Sequence, residues 1–508
     1  MLRRLALPAL LIAATSLALA SLDQPVPTEN GPVQGVTAGE ITAFKGIPYA
    51  APPLGDLRWR APQPAAAWQG VRRAARFSAA CFQAKTGAFG PWSAEYIAKN
   101  AMEGGSSEDC LYLNVWTAAA KPSEKRPVLV WIYGGGFTSG SGDVPVYDGA
   151  GLAAKGLVMI TFNYRVGLLG FLAHPELTRE SGHGASGNYA LLDMIAALDW
   201  VHHNISAFGG DPGNVTIAGQ SAGAFAVNYL MASPLAKGLF ERAIAESGGA
   251  FIGAASLKDA EAAGEKMGTL AELRAKPPDA FLRPAPGSRP GPIIDGYVVP
   301  DPVSEIFAQG RQNDVPLIVG WNAGDGVQFG PPPTAEAFRE QARKTYGDLA
   351  DAFLKAFPAA TDEETAKSQK ALGRDQLFAW QGRAWARSQS KTGKSKVFVY
   401  YFDRTAPGTP EQTKYGAFHS GEIAFALNTL ARWDRPWTDV DRKLEAEMSS
   451  YWVKFAKTGD PNAPGLPHWP AYSTGNERAM RLGQDIQAIP IPDQAQLDFF
   501  DRFNHGIR

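Results

Sequence analysis

Cysteine is nearly absent from this chain: Cys81 and Cys110 are the only two in 508 residues. Neither belongs to a Cys-x-x-Cys pair or lies near clustered histidines, so the usual metal-site spacings are excluded. Charge of a dominant sign is also lacking. The 49 Lys and Arg against 50 Asp and Glu leave a net charge of -1. There is no basic stripe to hold nucleic acid and no acidic tail. Gly/Ser linkers, internal repeats and charge blocks are missing too. Length alone suggests about three domains. Nothing divides the chain, however, and residues 21–508 are expected to form one large domain with insertions.

Only one long apolar run stands out, residues 5–17. It follows Arg3 and Arg4 and precedes the small-residue pattern Ala18-Leu19-Ala20. The run is short for a bilayer, so residues 1–20 read as a cleavable signal peptide of a secreted or periplasmic protein. The paired arginines hint at twin-arginine export. A retained membrane anchor is the alternative. Ser21 follows the cleavage pattern, so no cysteine stands there to carry a lipid. In an exported chain an even cysteine count suggests one disulfide. Such a bridge would close a loop of about 30 residues and stabilise by up to about 3–4 kcal/mol. Two buried free thiols are the other reading.

What is present is strand–helix alternation. Residues 127–133, 157–163, 215–218, 315–319 and 396–402 are continuous apolar runs. Runs of that length fit strands covered on both faces. Helical patterns fill residues 188–204 and 222–232. The sequence predicts an α/β fold: a large, mostly parallel sheet with helices on both faces and inserted segments over its carboxyl edge, where ligands bind.

The most informative stretch is Gly219-Gln220-Ser221-Ala222-Gly223, between the run ending at Ala218 and the helical pattern. Two glycines let strand and helix approach without a Cβ clash. The serine between them is forced into a strained turn with its hydroxyl clear of the sheet. A plain Gly-Ser turn is the alternative, and the flanking strand and helix argue against it.

A serine hydroxyl needs a base and the base needs a carboxylate. On this architecture the order is Ser, acid, His. That order removes His174, His183, His202 and His203. His468 lies in a proline-rich turn and His505 near the end of the chain, which leaves His419. Asp325, on the loop after residues 315–319, is the acid candidate. Asp403 competes but reads as a turn residue paired with Arg404, and Asp295 reads as a turn carboxylate. Gly134-Gly135-Gly136 follows a strand and offers unobstructed N–H donors for an oxyanion, with Ala222 N–H as a further donor. A nucleotide loop would need Gly-x-Gly-x-x-Gly spacing or a phosphate-loop lysine, and has neither.

Five stretches carry a resemblance: Phe44-Lys45-Gly46-Ile47-Pro48-Tyr49-Ala50, residues 107–116, residues 130–137, residues 209–217 and Phe455-Ala456-Lys457-Thr458-Gly459-Asp460-Pro461-Asn462. Together, over residues 33–483, they resemble the type-B carboxylesterases, the cholinesterase-like and para-nitrobenzyl-esterase-like branch of the α/β-hydrolase fold. The resemblance implies a triad of Ser221, Asp325 and His419. It implies an oxyanion hole at Gly135, Gly136 and Ala222, and Ser247 supporting the triad from behind. It also implies a Cys81–Cys110 disulfide and the ion pairs Arg58–Glu108 and Arg165–Asp193.

Four departures stand out. Asp325 occupies the place of a usual glutamate, so the acid loop is expected to sit closer to His419. Residues 422–426 depart from the usual Pro-Tyr-Val-Phe and are expected to alter the pocket wall. The later family cysteines are absent. The segment between Ser247 and Gly291 is short.

The implied activity is carboxylic ester hydrolysis through an acyl-enzyme, falling at acid pH as the histidine protonates, with no metal or organic cofactor. Expected partners are a small-molecule or polymeric ester, without nucleic acid or membrane, and the chain would act as a monomer or homodimer. Amide, lactone or polyester cleavage on the same fold is one alternative; a non-catalytic cholinesterase-like binding module is another. Phe89, Trp92, Tyr96, Phe225, Phe329 and Phe425 are candidates for an acyl pocket, against the reading that each is core or lid.

Overall fold

The computed structural model describes Leu22, residues 24–84, Met102, and residues 104–283, 290–326 and 331–505. The leader segment 1–20 and Phe89, Trp92, Tyr96 and Phe329 lie outside the described residues.

Eleven strands form one sheet. In chain order they are β1 (Val36–Ala38), β2 (Ile41–Pro48), β3 (Tyr112–Thr117), β4 (Arg126–Ile132), β5 (Val158–Phe162) and β6 (Gly210–Gln220). Then come β7 (Arg242–Glu246), β8 (Leu317–Asn322), β9 (Val397–Phe402), β10 (Arg478–Leu482) and β11 (Gln487–Pro490). The order across the sheet is β1-β2-β3-β5-β4-β6-β7-β8-β9-β10-β11. The stretch from β5 to β10 is parallel, and the outer strands pair antiparallel.

The apolar runs explain the centre. Every residue of β5 and of β8 is buried, so neither strand alternates. Strands covered on both faces have no solvent side to mark. The covering helices include α1 (Tyr189–Asn204), α2 (Ala222–Ala232), α3 (Asp362–Arg374), α4 (Trp380–Thr392) and α5 (Asp439–Thr458). Helix α2 packs on β4, β6 and β7, α4 on β8 and β9, and α5 on β4 and β6.

Near the site edge, Cys81 and Cys110 are bonded to each other. Arg58 forks onto Glu108 through Nε at 2.7 Å and Nη2 at 2.6 Å. Arg165 does the same to buried Asp193 at 2.8 and 2.7 Å. Both are paired charges of the bidentate kind that burial demands.

Candidate active site

Three loops at the carboxyl ends of β6, β8 and β9 build the site. The first is the turn from β6 into α2. A Cβ on Gly223 would overlap the carbonyl oxygen of Ile132, and one on Gly219 would lie 2.6 Å from the Gly223 carbonyl carbon. Only glycine lets the helix start this close to β4 and β6. Ser221 between them is held at φ 55°, ψ -125°, in a region sparsely used by L residues. Its N–H donates to the Glu246 carbonyl at 2.9 Å. Nine described non-glycine residues have positive φ, and Phe137, Ser221, Ser247 and Ser420 all belong to this site or its neighbours in sequence. Such strain persists only where the surroundings impose it.

The second loop follows β8. Asp325 is fully buried, and its carboxylate is fully engaged. Oδ2 accepts Ser247 Oγ–H at 2.8 Å and the Asn322 N–H at 2.6 Å. Oδ1 faces His419 Nδ1 at 2.8 Å. Three donors on a buried carboxylate offset the cost of taking it from water.

The third loop follows β9 and carries His419. A backbone bridge joins Gly324 to Phe418, with Gly324 N–H donating to Ala417 O at 2.9 Å. The acid and histidine loops are therefore stitched together next to the pair they present. With Asp325 ionised, Nδ1 carries the proton and Nε2 is the basic atom. Nε2 lies 3.2 Å from the amide nitrogen of Gln220, the residue before Ser221. Among the described residues, Ser221 Oγ has no hydrogen-bond partner.

The oxyanion candidates lie alongside. Gly135 and Gly136 have φ of 113° and 62°, and a Cβ on Gly135 would overlap the Ser139 carbonyl. Among the described residues neither N–H has an acceptor. Ala222 is the first residue of α2, so its N–H has no partner within the helix.

Beneath this row is a pair that sequence reasoning did not anticipate. Glu246 and Glu422 are both fully buried. Glu246 Oε1 accepts the Trp452 indole N–H at 2.8 Å, and Glu422 accepts the side-chain amide of Asn322. Among the described residues, the other oxygen of each carboxyl has no hydrogen-bond partner. Burial pushes the Glu246 carboxyl up to about 8. Glu422 is raised well above the carboxylate range by burial, then by the charges of Glu246 and Asp325.

Two expectations need correction. Residues 422–426 are not pocket wall: Ile423, Ala424, Phe425 and Ala426 are buried in the core, with Phe425 packed on Phe402 and Trp437. The apolar turn faces the sheet rather than the cleft. Asp403 is an ion-paired turn residue, but its partner is Arg481 at 2.6 Å, while Arg404 turns to Asp441. Phe225 is half-buried in the first turn of α2. Asp295 caps its own turn by accepting Tyr297 and Val299 N–H groups. His505 closes the last helix, Gln494–His505. Gln220 and Asn322 lie inside stretches already singled out. Phe378, stacked on His419, lies in no motif and gives no local signal.

A mostly parallel sheet with a strained serine at a strand–helix turn, faced by a histidine and a buried carboxylate, defines the α/β hydrolases. Residues 23–500 match the carboxylesterase family, and the chain belongs to it. It is 38% identical to a fumonisin B1 esterase of Sphingopyxis macrogoltabida, over 90% of this chain and 86% of that protein. It is 35% identical to a para-nitrobenzyl esterase of Bacillus subtilis, over 92% and 97%. It is 32% identical to an acetylcholinesterase of Bungarus fasciatus, over 95% and 86%. Solved structures of PNB esterase, one of them thermophilic, superpose with a TM-score of 0.81 at 32% identity, covering 94% of this chain and 99% of theirs.

Proposed function

We propose that this protein is a serine carboxylesterase working through an acyl-enzyme. Ser221 Oγ attacks the ester carbonyl while His419 Nε2 takes its proton. The N–H groups of Gly135, Gly136 and Ala222 stabilise the oxyanion. His419 returns the proton to the leaving alcohol. Water, deprotonated by the same imidazole, then releases the acid and restores Ser221. Asp325 fixes the imidazole tautomer and stabilises its cationic form. Ser247 and the Asn322 N–H hold the carboxylate from behind. In the free enzyme the Gln220 amide lies over the imidazole, 3.2 Å from Nε2 and 3.5 Å from Nδ1, and the Ser221–Nε2 contact forms when substrate binds, since such contacts tighten in the reacting complex.

The observation that carries this reading is the hydrogen-bonded row Ser247–Asp325–His419, ending beside a serine on a positive-φ turn. The substrate is an ester small enough to reach that turn. Residues 1–20 act as an export signal, and the Cys81–Cys110 bond suits an oxidising compartment. The test is hydrolysis of a short-chain aryl ester together with labelling by an organophosphonate. Ser221→Ala is expected to lose about 10⁴-fold or more in kcat and to take up no label. Unchanged hydrolysis, or label carried elsewhere, overturns the proposal.

A further inference from the structure

The single short bond from Nδ1 to Asp325 fixes one corner of the His419 imidazole but leaves the ring free to tip about that axis. The face of His419 is covered by Phe378. The two ring centroids are 4.6 Å apart and the planes are 24° from parallel. Phe378 is itself buried, so the stack is screened from water.

Its placement is unusual. Phe378 sits in a π-helical turn, Asp375–Ala379, that joins α3 to α4. Such turns insert an extra residue and re-aim a side chain, often at functional sites. The same junction also touches the acid loop and the segment after Ser247. Arg374 pairs with Asp375 at 2.6 Å and with Asp493 at 2.7 Å, and donates to the carbonyl of Ala323, two residues before Asp325. A Cβ on Gly326 would overlap the Lys370 carbonyl of α3. Gln381, at the start of α4, accepts the Phe251 N–H at 2.9 Å, in the loop that follows Ser247.

We propose that Phe378 is a positioning residue for His419: its ring face holds the imidazole plane in line with Ser221 and favours the cation formed in each proton transfer. The proposal rests on the triad reading above. A flat aromatic face does both, because π-density attracts a cation stacked on it. A small tilt of the base is costly, since sub-ångström placement governs the attack geometry.

The experiment compares Phe378→Leu, which keeps apolar bulk without a face, with Phe378→Tyr, which keeps the face. On a short-chain aryl ester, Phe378→Leu is expected to lower kcat about tenfold with KM within about twofold, and Phe378→Tyr to recover most of the loss. The low-field proton NMR signal of the Nδ1–H shared with Asp325 is expected to broaden in the leucine variant and to persist in the tyrosine variant. If the leucine variant fails to show native near-UV dichroism, Phe378→Met takes its place in both measurements. An unimpaired leucine or methionine variant, an equal loss in the tyrosine variant, or a loss confined to KM overturns the proposal. Ser221→Ala and His419→Ala in the same assay separate the two claims. If these are active, the triad reading falls. If they are inactive while Phe378→Leu is unimpaired, only the positioning role falls.

Discussion

Glu246 poses the sharpest problem at the scale of single residues. A carboxyl with no exposure and one unpartnered oxygen stays protonated until its environment is overcome, here at about 8. A raised folded-state value means that folding retains a proton the unfolded chain has already lost. The stability tied to that proton is intact below the ordinary value of 4.5 and disappears as pH rises toward about 8. Glu246→Gln keeps an oxygen for Trp452 and offers an amide proton toward Glu422. Chemical denaturation midpoints of the two proteins are expected to agree at pH 5 and to favour the variant at pH 8; a variant that loses as much stability over that range as the parent counts against this account.

Asp325 is the other residue-scale question. Its carboxylate is fully buried with three donors around it. Asp325→Asn presents an amide where His419 needs an acceptor, and kcat is expected to fall about 10⁴-fold with little change in fold. Asp325→Glu adds a methylene inside a closed cage. It is expected to cost about 10²-fold in kcat by displacing the imidazole. An active glutamate variant would mean the bridge between Gly324 and Phe418 yields more readily than its geometry implies.

Among the elements, the β6–α2 turn carries the greatest constraint. Gly223→Ala would drive a methyl into the Ile132 carbonyl. The first turn of α2 would have to move, taking the Ala222 N–H with it. Esterase activity is expected to drop by about 10²-fold or more, in line with loss of an oxyanion donor, and soluble yield is expected to fall. Helix α2 runs over the same residues, 222–232, as the sequence pattern. Strands β4, β5 and β9 lie within the predicted runs to a residue at either end. Apolar continuity and glycine punctuation are local signals, and both survive folding. The stretch after His419 went the other way. Ile423-Ala424-Phe425-Ala426 reads as apolar whether it lines a pocket or a core, and only its packing on Phe402 and Trp437 decides between them. Glu422 is a polar residue by sequence and a buried acid by structure, because Asn322 and Glu246 come to its turn from the ends of β8 and β7.

Across the whole molecule, the Cys81–Cys110 bond and the Arg58–Glu108 pair fasten two N-terminal segments to the residues that lead into β3. Replacing both cysteines by serine is expected to cost about 3–4 kcal/mol by the chain-entropy argument. It should lower the thermal midpoint while leaving kcat of the surviving folded enzyme near that of the parent. A midpoint indifferent to the replacement, or to reductant, would show that the bond restrains nothing.

By itself the sequence determined the α/β class, the glycine-flanked turn at Ser221, and a short list from which His419 and Asp325 emerged. The first two rest on contiguous residues whose spacing forces a local conformation, and the short list rests on chain order. Tertiary structure alone decided what surrounds them: the Gln220 amide over the imidazole, Phe378 stacked on the ring and two buried glutamates nearby. Those neighbours come from segments far apart in the chain. Packing energy and desolvation act through space, and neither leaves a periodic mark along the polypeptide.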